Sequence, residues 1–240
     1  GPRASLWTGT AASWLDLTPS GATQGAALGV NVGGQVGWAL FSGESHAVLW
    51  NGTAGSWVDL HPPGAIGSVA RDLADGEQVG DIADTFYRGR AALWMGTAAS
   101  LVDLTPAGGG DSIAYAACAH HQVGVVRVDG LAHASFWSGT ADSWVDPHTF
   151  FPTNFNTSEA RDIWLDGDRM YVAGFGHNTT TGGQEALLWS SPLAVRPTFS
   201  ITRSGADVVI AWPSPSTGFN RQECTDLAAA NWIDYVGPPN

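Results

Sequence analysis

The chain repeats the phrase ASLWTGTAASWLDLTP (Ala4–Pro19) as AVLWNGTAGSWVDLHP (Ala47–Pro62), AALWMGTAASLVDLTP (Ala91–Pro106) and ASFWSGTADSWVDP (Ala134–Pro147). A broken copy, ALLWSS, begins at Ala186. Repeats with a period of 20–50 residues indicate a solenoid, a propeller or another array. The repeat therefore predicts the architecture before any single residue is considered.

The spacing of the copies is regular. The tryptophans Trp7, Trp50, Trp94 and Trp137 follow one another at steps of 43 or 44 residues, and a second marker, Gln-Val-Gly, keeps the same steps. The fourth copy is longer, and its extra residues lie in FFPTNFNTS (150–158) and HNTTTGGQ (177–184). Because the first segment is rich in Asn, Thr and Phe and the second in Asn, Thr and Gly, we interpret both as loop insertions.

Each unit contains four short apolar runs bounded by turn residues. In the second unit these runs are SVARDLA, QVGDIA, AALW and SLVDL, and none keeps a helical period over three turns. Four strands in about 43 residues is typical of one propeller blade. We therefore predict an all-β fold, a four- or five-bladed β-propeller over residues 1–190, with units near 4–46, 47–90, 91–133 and 134–185 and a partial copy at 186–190.

Side-chain size predicts the order of the strands. The runs GAALGVNV, SVARDLA, SIAYAACA and SEARDIW are rich in small residues, which suits strands crowded around a central axis. The aromatic strands would then lie further out. Large rings bury much area, so we expect seven recurrent tryptophans to pack between blades rather than to bind sugars: Trp7, Trp14, Trp50, Trp57, Trp94, Trp137 and Trp144.

The inner runs also provide the candidate binding residues. Arg71-Asp72 and Arg161-Asp162 share the phrase S-x-A-R-D, and Tyr115 stands in the third copy. Charged residues in a strand of small apolar residues are tolerated when they are paired, which favours ion pairs between blades. The alternative is that they line a polar ligand pocket, with Tyr115 as a stacking surface.

Other polar clusters carry less chemistry. Asp166 and Asp168 could attract Ca²⁺, but a calcium loop needs six to eight oxygen ligands, and plain turn chemistry explains both residues. His120 and His121 fall in a hairpin turn and would point to opposite sides. The sequence contains no serine-hydrolase, zinc-protease or nucleotide-binding motif, so we expect no catalytic residues, no resident metal and no cofactor.

Composition limits the partners. The net charge is −12, with ten arginines and no lysine, so no basic surface for nucleic acid is expected. No apolar stretch approaches the length needed to cross a bilayer, and we expect no membrane insertion. The two cysteines, Cys118 and Cys224, do not form a disulfide framework.

Residues 191–240 depart from the repeat. TFSITRSG and DVVIAWP alternate apolar and polar residues around the turn at Ser204–Asp207, which predicts a β-hairpin. We interpret the region as a small immunoglobulin-like β module, either truncated at Asn240 or built of three or four strands, since a full sandwich needs about 100 residues.

The repeat resembles the HAF-type repeat of bacterial extracellular proteins, whose units carry His-Ala-Phe-Leu-Trp and Gly-Gln-Val-Val-Gly phrases. His46-Ala47 and His133-Ala134 match the opening of that phrase, whereas Arg90-Ala91 and Glu185-Ala186 depart from it. The segment ITRSGADVVIAWPSPSTGF resembles a C-terminal β-sandwich module of secreted planctomycete- and verrucomicrobium-type proteins. The resemblance implies an exported or cell-surface bacterial protein and supplies no catalytic motif.

Two classes of function follow. The first is a non-enzymatic extracellular scaffold or binding protein for a protein, a glycan or other copies of itself. The second is a propeller glycosidase or lyase acting on polysaccharide at the channel mouth, which would need a pair of carboxylates about 5–10 Å apart. Glutamate is scarce and the repeat symmetry is kept, which favours the first class. We also expect the ends of the repeat to meet within one chain, the alternative being pairing between chains.

Overall fold

The computed structural model of the chain describes residues 1–192 and the strands at 200–204, 207–211, 222–223 and 233–234. It divides into two compact units, Gly1–Ser191 and Pro192–Asn240. The first unit is all-β and consists of several small antiparallel sheets, as the repeat predicts. Within the described residues, no helix is long and apolar enough to cross a bilayer.

Sheets I, II and III contain the first three copies of the aromatic phrase. Sheet I has two strands, and sheets II and III have four each, hydrogen-bonded in chain order. Their strands are β1 (Ser5–Leu6) and β2 (Leu15–Asp16); β3 (Gln24–Asn31), β4 (Gly34–Phe41), β5 (Glu44–Trp50) and β6 (Val58–Asp59); and β7 (Gly67–Ala74), β8 (Glu77–Ala83), β9 (Gly89–Trp94) and β10 (Val102–Asp103).

Sheets IV and V have three strands each. In sheet IV an isolated bridge between Phe136 and Val145 takes the place of a fourth strand. The strands are β11 (Ser112–Cys118), β12 (His121–Val128) and β13 (Leu131–Trp137) in sheet IV, and β14 (Phe155–Asp166), β15 (Arg169–Asn178) and β16 (Gly183–Pro192) in sheet V.

The insertions of the fourth copy are only partly loops. The first insertion begins at the last residue of a short 3-10 helix, Pro147–Phe150. From Phe155 onward it already belongs to β14. Half of the second insertion, residues 177–178 and 183–184, extends β15 and β16. The loop interpretation was therefore wrong for these residues, because the added chain continues the antiparallel ladder and satisfies its backbone groups there.

The aromatic phrase has the same local structure in each copy. Its Gly-Thr-Ala-Ala-Ser part forms a 3-10 turn, at Ala11–Ser13, Ala54–Ser56, Ala98–Ser100 and Ala141–Ser143. In the first turn the Ser13 hydroxyl donates to the Thr10 carbonyl at 2.6 Å and accepts from the Thr8 N–H at 2.8 Å. Serine recurs at this position because its hydroxyl satisfies backbone groups of the turn.

Apolar clusters join sheets II, III and IV each to the preceding sheet. Trp94 of sheet III is fully buried against Val36, Ala47 and Leu60 of sheet II. Trp137 of sheet IV is buried in the same way against sheet III, and Trp50 of sheet II against sheet I. The prediction that these three rings pack between sheets is confirmed.

The prediction was wrong for Trp7 and Trp14, which are 54% and 50% exposed. The reason lies in the direction of packing, since each equivalent of Trp7 contacts the sheet before its own. Among the described residues no sheet lies before sheet I on that side. Trp57 and Trp144 are intermediate, since both are partly buried beside the clusters.

Packing between sheets follows the order of the chain. Strand β3 packs against β7, β7 against β11 and β11 against β14. Within residues 1–192 no extensive packing joins sheet V to sheet I or II. The expected closure of a ring within this chain is therefore not seen in the part that the structure describes.

In the second unit, β17 (Ser200–Ser204) pairs antiparallel with β18 (Asp207–Ala211), and β19 (Gln222–Glu223) with β20 (Ile233–Asp234). The first pair has the register of a hairpin, with Ser204 opposite Asp207. Cys118 is unpaired, and Cys224 lies outside the described residues. The predicted sandwich also lies largely outside them and stays a prediction.

Candidate functional site

A β-bulge interrupts the first strand of each of sheets II to V at the same place. In sheet III, for example, Ala70 lies opposite Gly80 and Asp72 opposite Val79, so that Arg71 is the extra residue. A bulge bends its strand and re-aims a side chain. The four extra residues are Leu28, Arg71, Tyr115 and Arg161.

Three of these bulge residues come together, although they belong to three consecutive sheets. The guanidinium of Arg161 lies over the Tyr115 ring, with its central carbon 4.1 Å from the ring centroid. The guanidinium of Arg71 lies 5.5 Å from the same centroid. Both distances are within the range of cation–π attraction. We call Arg71, Tyr115 and Arg161, with the carboxylates around them, the bulge cluster.

The two arginines form ion pairs within their own sheets. Arg71 Nε donates to Asp81 Oδ1 of the neighbouring strand at 2.6 Å. Arg161 Nη2 lies 2.7 Å from Glu159 Oε2 of its own strand. The expectation of ion pairs between blades was therefore wrong, because the bulge turns each arginine towards a carboxylate of its own sheet.

The two arginines have carboxylate partners on different strands, because the acidic and the apolar residue that flank the bulge change places between sheets III and V. Asp81 of sheet III has its counterpart in Phe175 of sheet V, and Val69 has its counterpart in Glu159. Arg161 therefore finds its carboxylate on its own strand, and its guanidinium also lies 5.2 Å from the Phe175 ring centroid.

The contact of Arg161 with Glu159 leaves bonding capacity unused. Glu159 Oε2 is shielded from solvent, yet it accepts no hydrogen bond of good geometry from a described residue, since the 2.7 Å contact is poorly directed. A buried carboxylate oxygen without a donor is costly. A donor supplied by a ligand could satisfy this oxygen.

The two aspartates that follow the arginines have structural hydrogen bonds. Asp72 Oδ2 accepts from the backbone N–H of Ala117 in sheet IV at 3.1 Å, which ties sheet III to sheet IV. Asp162 Oδ1 accepts from the Ile163 N–H at 2.8 Å. Burial raises the pKa of Asp72, and the nearby charge of Asp162 acts in the same direction.

Tyr115 is half-buried in the cluster. Burial raises the pKa of its hydroxyl, and the charge of Glu159 adds to the effect, so the phenol stays neutral at physiological pH. Burial likewise raises the pKa of Asp81, against the opposing charge of Arg71. The cluster therefore presents two guanidiniums and two carboxylates around one aromatic ring: Arg71 and Arg161 with Asp81 and Glu159.

A shallow groove of about 220 Å³ lies where sheet I meets sheet II. It is lined by Leu6 and Trp7 on one side and by Leu28 and Val30 on the other. Its volume is below the 300–1,000 Å³ typical of small-molecule pockets. The groove is mainly apolar, and the predicted site residues lie outside it.

The remaining predicted residues are placed as follows. Asp166 and Asp168 flank Gly167 in the hairpin between β14 and β15, and neither joins a third potential metal ligand within the described residues. His120 lies 3.0 Å from Glu77 Oε1, whereas His121 lies 3.0 Å from Ser138 Oγ. The two neighbouring histidines therefore have different partners and do not share a site.

Two pairs of stacked histidines in the structure were not predicted from the sequence. The rings of His46 and His61 have centroids 4.1 Å apart, and those of His133 and His148 are also 4.1 Å apart. The signal was present, since a His-Ala opening and a histidine 15 residues later occur in the second and fourth copies but not in the first and third.

The chain has limited similarity to known proteins. No family model and no curated protein matches it. Among solved structures, it is similar to a puromycin hydrolase S511A mutant complexed with PGG, at 11% identity and a TM-score of 0.49. It is also similar to the tricorn protease, at 14% identity and a TM-score of 0.42.

These alignments cover much of this chain but little of the other proteins. They include 84% and 82% of this chain, but only 35% of the hydrolase and 21% of the protease. The chain thus spans about a third and a fifth of the two lengths. At this level of similarity the activities of those proteins carry no argument for this one.

Proposed function

We propose that this chain is part of a β-propeller that works outside the cell as a non-enzymatic binding protein, with the bulge cluster as its ligand site. The observation that carries the proposal is the convergence of Arg71, Tyr115 and Arg161 from three consecutive sheets. The consecutive packing of the bulged first strands supports the propeller arrangement. The resemblance to HAF-type repeats supports export.

The chemistry of the cluster favours a neutral, hydroxyl-rich ligand, and we propose a neutral glycan. Guanidinium N–H groups and carboxylate oxygens can donate to and accept from sugar hydroxyls, and the unsatisfied Glu159 Oε2 could accept one such donor. Each guanidinium is already offset by a carboxylate, Asp81 or Glu159, which disfavours an acidic glycan. The guanidinium of Arg161 over Tyr115 would repel a cationic ligand and covers one approach to the ring, so the sugar would meet the guanidinium first.

Binding without turnover is favoured by what the carboxylates already do. Asp81 is paired with Arg71, and Asp72 accepts the Ala117 N–H that joins two sheets, so among the described residues Glu159 is left as the one carboxylate beside Tyr115 with an unsatisfied oxygen. A glycosidase needs one carboxylate to donate a proton and a second to act as base or nucleophile. Carboxylates committed to structural partners are poorly suited to either role.

The test is calorimetric titration of the full chain with neutral oligosaccharides, beside acidic ones of the same length. Arg161→Ala should weaken binding of the neutral ligand about tenfold or more, because it removes a charged hydrogen-bond donor. Arg127→Ala is the matched control, since Arg127 is exposed and its guanidinium donates to the Gly130 carbonyl of the nearby turn. Equal affinity in both variants would exclude the bulge cluster as the site.

The same samples distinguish the alternatives. Release of shortened oligosaccharides would overturn the non-enzymatic role in favour of a glycosidase or lyase. Binding of none of the glycans, together with a mass in light scattering well above 25.0 kDa, would favour self-association instead.

A further inference from the structure

The second repeat brings two histidines and a glutamate together on the side of sheet II. His46 lies on β5 and His61 follows β6, and their rings stack with an angle of 16° between planes. Glu44 begins β5, after the turn at Ser42–Gly43. The potential ligand atoms of Glu44, His46 and His61 all lie within 4.8 Å of one another, and no other such group occurs in the part of the chain that the structure describes.

Both rings are held through the same nitrogen. His46 Nδ1 lies 2.9 Å from Asp59 Oδ2, and His61 Nδ1 lies 2.9 Å from the Ser68 hydroxyl. The Nε2 atoms therefore remain as the metal-binding nitrogens. A carboxylate on the far nitrogen of a histidine is the usual support of a metal ligand, because it fixes the ring and raises its basicity.

We propose that Glu44, His46 and His61 bind one Zn²⁺ ion, with Asp59 as the positioning residue for His46. Two imidazoles and one carboxylate suit Zn²⁺, which then keeps water in its fourth position. Zinc holds such ligands at about 2.0–2.2 Å and lies in the plane of each imidazole, so the three side chains must draw together and the two stacked rings must turn out of their parallel arrangement. Glu44 can do so because it is exposed and sits beside a turn. This site is independent of the bulge cluster.

The fourth repeat provides a matched control within the same chain. His133 Nδ1 lies 2.8 Å from Asp146 Oδ2, and His148 Nδ1 lies 2.8 Å from the Ser158 hydroxyl, as in the second repeat. Leu131, however, stands where the second repeat has Glu44. The first and third repeats have an arginine and a threonine in place of the two histidines: Arg3 with Thr18, and Arg90 with Thr105.

The experiment titrates the metal-free full chain with ZnCl₂ by calorimetry and with CoCl₂ by visible absorption, which reports tetrahedral coordination. The wild-type chain should bind one ion. Glu44→Leu and His61→Thr, which copy residues of the sister repeats, should abolish that binding. Asp59→Asn should weaken it about 10–100-fold. Leu131→Glu should create a second site, and His148→Thr should leave the first unchanged.

Circular dichroism and thermal unfolding without metal identify any variant that fails to fold, and Leu131→Glu tests the proposal by gain of binding. Zinc affinity that is unchanged in Glu44→Leu would overturn the proposal. Two equivalent ions in the wild-type chain would also overturn it, because the histidine pairs would then suffice without Glu44. A chain that binds no zinc at all would have the same meaning.

Discussion

Gly80 lies so close to Val69 that a Cβ atom added to Gly80 would stand 1.9 Å from the Val69 carbonyl oxygen. The equivalent glycines Gly37, Gly124 and Gly174 have the same 1.9 Å relationship to the carbonyl two residues before their bulge. Such a contact is impossible for any other residue. The glycine of Gln-Val-Gly thus recurs because the bulge on the opposite strand requires it, and the bulge in turn positions Arg71, Tyr115 and Arg161.

Gly80→Ala should therefore destabilise the chain by at least about 1–3 kcal/mol, because overpacking against backbone forces the bulge to move. The midpoint of urea unfolding should fall accordingly. Gly55→Ala is the control, since nothing lies within 4 Å of its added Cβ and its φ is not positive. Equal midpoints for the two variants would show that the sheet can absorb the extra methyl group.

The tryptophans offer a second comparison at equivalent positions. Trp94→Ala should cost about 3–5 kcal/mol of unfolding free energy, because it empties a fully buried site between sheets II and III. Trp7→Ala should cost about 0.5 kcal/mol, since Trp7 is 54% exposed. Thermal or urea unfolding of both variants measures the difference, and a similar loss in both would mean that Trp7 is covered in solution.

A buried serine provides the third prediction. The Ser112 hydroxyl accepts from the Ala91 N–H at 2.9 Å and lies 2.8 Å from Thr105 Oγ1, so it joins sheet IV to sheet III. Ser112→Ala should cost about 1–3 kcal/mol, because a buried N–H loses its acceptor. Ser20→Ala, at an exposed turn, should leave the unfolding midpoint unchanged. A midpoint for Ser112→Ala that matches this control would indicate that water replaces the hydroxyl.

The sequence was sufficient to predict what recurs. The period predicted the antiparallel sheets. Because Arg71, Tyr115 and Arg161 occupy equivalent positions in the repeat, the sequence also predicted that they lie at the same place in successive sheets. Repetition reports these features because every copy must satisfy the same backbone hydrogen bonds and the same packing between sheets.

The sequence was insufficient where copies differ. Whether Arg71 contacts Asp81 depends on the one-residue shift of the bulge, which alters the register without altering the spacing of the motifs. Whether Trp7 is exposed depends on whether another sheet packs against the face of sheet I that carries it. The spacing of His46 and His61 recurs in His133 and His148, but the distance between the two rings depends on the way β5 and the segment after β6 return to one another.

The stacked histidines lead to the last prediction, which concerns pH. Burial lowers the pKa of His61 and of His148, and the charges of His46 and His133 respectively act in the same direction. Asp59 and Glu44 oppose the shift at His61, and Asp146 opposes it at His148. The unfolded chain therefore binds more protons than the folded chain between these lowered values and the ordinary histidine pKa near 6.5.

It follows that the stability linked to these two histidines is complete above about pH 6.5 and is lost as the pH falls through 6.5 towards the lowered pKa values. The double variant His61→Thr/His148→Thr, which copies Thr18 and Thr105 of the sister repeats, should lose less melting temperature than the wild-type chain between about pH 7.5 and 5.5. Melting curves recorded with a metal chelator keep zinc from contributing. The melting temperature of the double variant should still fall somewhat with pH, because burial also lowers the pKa of His121. Parallel profiles for the two chains would mean that the stacked pairs accept protons in the folded state as readily as in the unfolded one.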